Sequence, residues 1–86
     1  MKIPKLRKGD AIEVVWIDAH FRQEAGWAEE SDFEGADPVL IKSICQYVSQ
    51  DRQYLNTVAD RSETDPAGVM RDLRIPKGCI QSIRKL

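Results

Sequence analysis

The chain has 86 residues, 42% of them hydrophobic and 31% charged, which is the length of one domain with a thin core, since so short a chain buries only roughly 60–65% of its unfolded surface. Its 13 Lys and Arg against 14 Asp and Glu leave a net charge of -1. That excludes a protein that holds nucleic acid by overall basicity, though not a local basic patch.

The charge is unevenly spread. Lys2, Lys5, Arg7 and Lys8 open the chain, and Arg74, Lys77, Arg84 and Lys85 close it. Glu24, Glu29, Glu30, Asp32, Glu34 and Asp37 make the middle acidic. Cys45 and Cys79 stand in no C-x-x-C pair, and two thiols with one histidine are too few for a structural zinc site. No apolar run follows the N-terminal lysines as a secretory leader requires, and none reaches the length of a membrane span. The expectation is one domain over residues 1–86, cytoplasmic, with reduced thiols, no metal, no cofactor and no membrane partner.

Residues 1–9 read as a lead-in, with Pro4 opposing early ladder pairing and Gly9-Asp10 marking a turn. Ala11 to Ala19 is rich in β-branched and aromatic residues and predicts the first strand. Ile12, Val14 and Trp16 share one face of it; Glu13, Val15 and Ile17 share the other. Residues 20–38 hold Gly26, Gly35 and the acidic groups from Glu24 to Asp37 and show no period. They predict a long loop, with a short helix over Phe21 to Glu30 as the alternative. Val39 to Ser49 is the second strand. Val39, Ile41, Cys45 and Tyr47 share one parity, interrupted by Ser43; Leu40, Ile44 and Val48 share the other with Lys42 and Gln46. A short polar hairpin loop over 50–53 leads to a third strand, Tyr54 to Ala59, antiparallel to the second. After a polar loop over 60–68, Val69 to Ile75 is the fourth strand. Pro76 ends it, Gly78 permits a tight one-turn connector, and Ile80 to Leu86 is the fifth strand. The expected class is all-β: five strands in a small, partly open barrel.

Gly9-Asp10-Ala11-Ile12-Glu13-Val14, Gly26-Trp27 after a long loop, and Ile75-Pro76-Lys77-Gly78-Cys79-Ile80 before the last strand together resemble the layout of a Src-homology-3-like barrel. The same five-strand outline is similar to that of Sm-like barrels, which form rings on RNA. Trp16-Ile17-Asp18, Gly26-Trp27 and residues 75–80 also resemble short, uncharacterised proteins of bacteriophages and prophages. The resemblance implies a small-barrel accessory protein without enzymatic activity, encoded by a phage or mobile element. It carries no peptide-binding residues across, because the connector has Lys77-Gly78-Cys79 where signalling domains place Ser-Asn-Tyr.

The candidate chemistry is sparse. Trp16, Asp18 and His20 fall on one face of an extended first strand, but no nucleophile or second base accompanies them at a recognisable spacing. No small-molecule substrate suggests itself. Phe21, Trp27 and Phe33 put three aromatics in the long loop, as a lid over the barrel or as an anchor for a partner protein. Protein binding or self-association through an open strand edge is the leading expectation. The alternative is nucleic acid, held by a patch in which Lys5, Arg7, Lys8, Arg84 and Lys85 from the two termini meet. Tyr47 and Tyr54 flank the hairpin with Arg52 between, and either pack across the strands or stack bases.

Overall fold

In a computed structural model the described residues are 2–18, 29, 38–64 and 68–86. Five strands run in chain order: β1 (Ala11–Asp18), β2 (Val39–Gln50), β3 (Tyr54–Arg61), β4 (Val69–Pro76) and β5 (Ile80–Lys85). They form one antiparallel sheet in the order β4-β3-β2-β1-β5. β4 and β5 are its two edges, so the sheet is open. The all-β class and all five strands expected from the sequence are present, with ends shifted by two residues or fewer. Residues 20–28 and 30–37, where loop and short helix compete, lie outside the described residues.

Parity explains which side of the sheet packs. Directly paired residues point to the same face. Ile12 pairs with Cys45 and Val14 with Ser43 and Ile83; Thr57 pairs with Tyr47 and Leu73, and Leu55 with Ile75. These positions line the inner face, where Ile12, Val14, Tyr47, Leu55, Ile75, Ile80 and Ile83 form the core cluster. Ile3 and Leu6 of the lead-in, with Trp16, Cys45 and Leu73, pack against it. The lead-in therefore supplies apolar cover to a core too thin to close by itself.

Two polar side chains on this inner face are satisfied. Trp16 Nε1–H donates to Ser43 Oγ at 3.0 Å, which accounts for the serine interrupting the apolar parity of β2. Thr57, buried, donates its hydroxyl to the Leu73 carbonyl at 3.0 Å. Among the described residues no buried side-chain polar atom lacks a partner, as a well-ordered interior requires.

The connections are fixed by short-range hydrogen bonds. Before β1, Asp10 N–H donates to the Arg7 carbonyl at 2.9 Å and Asp10 Oδ2 accepts the Arg7 N–H at 2.7 Å. Gly9 sits inside this turn at φ 93°, a value that glycine adopts without strain. In the β2–β3 hairpin, Asp51 Oδ1 accepts the backbone N–H groups of Gln53 and Tyr54, both at 2.8 Å. These bonds hold the Asp51 carboxyl below its ordinary pKa. Between β4 and β5, Lys77–Cys79 forms a single 3-10 turn, the tight connector that Pro76 and Gly78 predict. No helix of the described residues is long and apolar enough to cross a membrane.

Candidate protein-docking face

The outer face of β1 and β2 carries what the core does not use. Ile17 pairs with Leu40, Val15 with Lys42 and Glu13 with Ile44, so these six side chains share the face opposite Ile12 and Val14. Leu40 is 55% exposed and Ile44 60% exposed. Val15 and Ile17 are half-buried beside them, and Val39 at the head of β2 is exposed. Lys42 stands between the two leucine-sized groups of β2, exposed and with no ion pair among the described residues. Glu13 closes one end of the strip by accepting a bond from Arg84 at 2.9 Å. The arrangement is an apolar strip with Lys42 at its centre, unpaired among the described residues.

The candidate residues from the sequence fall in different places. Phe21, Trp27, Phe33 and His20 lie outside the described residues. Trp16 is half-buried against the core, and Asp18 ends β1 opposite Val39. Tyr47 is a core residue, 8% exposed, so its ring packs inward and offers no stacking surface for a base. The two termini do approach each other: Leu86 N–H donates to the Ala11 carbonyl at 2.9 Å, and Lys85 Nζ lies 3.4 Å from Asp10 Oδ2. That approach brings acids with it, because Lys85 faces Asp10 and Arg84 pairs with Glu13. Lys5, Arg7 and Lys8 are exposed on the lead-in. Asp10 is held below its ordinary pKa, chiefly by the Arg7 backbone bond and further by Lys85.

A second cationic group lies at the hairpin end. Arg52 is exposed at its tip. The Arg74 guanidinium sits 4.0 Å from the centroid of the Tyr54 ring and 3.7 Å from Asp51 Oδ2. Lys77 N–H donates to the Gln53 carbonyl at 2.7 Å, which places the connector against the same hairpin. Tyr54 and Arg52 are legible in the sequence as hairpin residues, but Arg74 is not, because register, not sequence distance, brings it beside Tyr54.

Comparison with protein-family models, with curated proteins and with solved structures gives no match to this chain.

Proposed function

We propose that this chain is a non-enzymatic small-barrel accessory module that works by binding a protein partner on the outer face of β1 and β2. The observation that carries the reading is the strip Val15, Ile17, Leu40 and Ile44, apolar side chains kept on the solvent side of strands whose other side already fills the core. Fully burying a Leu or Ile side chain is worth roughly 1.5–3 kcal/mol, so a partner covering Leu40 and Ile44, each a little more than half exposed, gains about 2–3 kcal/mol before costs. Lys42 at the centre of the strip favours a partner that brings a carboxylate among its apolar side chains. The strand order and the single 3-10 turn before β5 support the Src-homology-3-like or Sm-like reading of the barrel. The likeness of Trp16-Ile17-Asp18 and residues 75–80 to phage-type proteins supports a phage or mobile-element origin and a cytoplasmic setting.

The test compares the wild type with Leu40→Glu and Ile44→Glu as bait in the producing cell. Bound proteins are identified by mass spectrometry, then titrated as purified partners. Expected is tight binding to one partner by the wild type and at least a tenfold loss in both variants, with unchanged melting temperatures. Equal binding by all three refutes the face.

Nucleic acid is the second reading, favoured by the Arg74 guanidinium held over Tyr54 with Arg52 and Lys77 nearby. It predicts binding to single strands that weakens steeply with salt.

A further inference from the structure

We infer that the β4 edge pairs with the β4 edge of a second copy of this chain, antiparallel, about a twofold axis at Leu73. This does not rest on a partner docking at the outer face of β1 and β2.

Some backbone groups of β4 have no partner strand among the described residues. Gln53 C=O accepts Lys77 N–H at 2.7 Å, and these two residues continue the register in which Leu55 pairs with Ile75 and Thr57 with Leu73. Hydrogen-bonded and non-hydrogen-bonded pairs alternate along an antiparallel ladder. Leu73 and Ile75 therefore turn their N–H and C=O toward β3, and Asp72, Arg74 and Pro76 turn theirs to the open edge. Pro76, which has no N–H, falls on the side where no strand needs one, the position in which a strand tolerates proline.

The other half of β4 has the opposite phase. Ser62 N–H donates to Gly68 C=O at 2.8 Å, although that pair also lies in the same register. The switch falls at Arg71, the one described non-glycine residue with positive φ, 58°, where pairing passes from Val58↔Asp72 to Asp60↔Met70. The Arg71 guanidinium is held by two bonds to the Asp60 carboxylate, 2.6 and 2.9 Å. The usable edge is thus the short run after Arg71.

Charge then selects the register. With Asp72 and Arg74 as the outward-bonding residues, a second β4 joins in three ways. Asp72 opposite Asp72 and Arg74 opposite Arg74 each set like charges against each other. Asp72 of one copy opposite Arg74 of the other uses both outward residues on both strands and sets an acid against a base twice. Like charges directly opposite destabilise a strand pair and opposite charges stabilise it. Asp72 is exposed and has no ion pair among the described residues, and the Arg74 guanidinium, stacked over Tyr54 at 4.0 Å, has among them one ion pair, the long 3.7 Å contact to Asp51. The interface is isologous, as a twofold dimer requires. It is also short, so the dimer forms over roughly 1 µM to 1 mM.

Sedimentation equilibrium on the full chain tests this, with circular dichroism to confirm folding. The wild type is expected to pass from its 9.8 kDa monomer to a dimer as concentration rises, and to weaken in high salt. Asp72→Arg alone and Arg74→Glu alone each stay monomeric at concentrations where the wild type is mostly dimer. Mixed one to one, the two variants form a heterodimer, because the mixture restores both acid–base pairs. A wild type monomeric at 1 mM overturns the inference. So does a dimer that Asp72→Arg leaves intact, or assembly beyond the dimer, which would point to β4 pairing with β5 head to tail. Two folded variants that fail to combine overturn the register.

Discussion

Leu55 and Ile44 are both aliphatic residues in the middle of strands, and the structure assigns them opposite fates. Leu55 has no exposed surface and packs in the core with Ile75 opposite it, whereas Ile44 is 60% exposed on the outer face. Replacing each by Ala therefore measures the sidedness of the sheet. Leu→Ala at a buried site costs about 2–5 kcal/mol, transfer and cavity together. An exposed site away from special features stays within about 0.5 kcal/mol. A domain of this size has about 4–13 kcal/mol in total, so Leu55→Ala removes a large share of it. With a urea slope of about 1 kcal/mol per M, as a small domain gives, the unfolding midpoint falls by about 2 M or more for Leu55→Ala and by about 0.5 M or less for Ile44→Ala. The assay is urea unfolding followed by tryptophan fluorescence, with the slope checked for constancy. Comparable losses at the two positions would refute the sidedness, and with it the exposed strip on which the docking face rests.

Other outcomes follow from single side chains. Asp10, Asp51 and Asp60 are all held below their ordinary pKa, Asp10 and Asp51 chiefly by backbone N–H groups and Asp60 by Arg71. Their stabilisation is present above the ordinary aspartate range and lost as pH falls through the lowered values, so melting temperature drops on acidification below about pH 4, and Asp51→Ala flattens that drop. Burial pushes the Cys45 thiol up, the Thr57 hydroxyl partly offsetting it. Stability then falls as pH rises past the ordinary thiol range, and Cys45 labels slowly with a thiol reagent until the protein unfolds; Cys45→Ala removes the alkaline slope. Arg71→Gly melts no lower than Arg71→Ala, because only glycine occupies φ 58° without the left-handed penalty; the reverse order in a thermal melt would show that the backbone there relaxes.

Most of the sheet was legible in the sequence because its signals are local. Gly9-Asp10, Gln50–Gln53 and Pro76–Gly78 punctuate runs of β-branched residues, and the strands begin or end at them: β1 after the first, β2 and β3 on either side of the second, β4 and β5 on either side of the third. Alternation sorts β1 into two faces but does not say which one packs, because both are largely apolar and suit a strand covered on two sides; the sheet buries Ile12 and Val14 fully and leaves Val15 and Ile17 half-buried. For Tyr47, cross-strand packing was the readier reading and base stacking the alternative, and pairing with Thr57 places the ring inside. The terminal patch was half legible. The ends meet, yet Asp10 and Glu13, read as turn and strand residues, are the acids that face Lys85 and Arg84. The left-handed Arg71 has no sequence signal, because arginine has no preference for that conformation and it follows from the phase change along β4.

The bond from Arg84 to Glu13 joins positions 71 residues apart, and the β1–β5 ladder around it spans nearly the whole chain. Closing so long a loop carries an entropic cost before any contact repays it, whereas the β2–β3 hairpin closes across the three residues 51–53, held by Asp51. The hairpin is thus the natural nucleus, and docking of β5 is the slow step. Folding in milliseconds to seconds is the consequence, with β1 bare along one side until the C-terminal segment arrives. During synthesis that wait lasts until the six residues of β5 leave the ribosome.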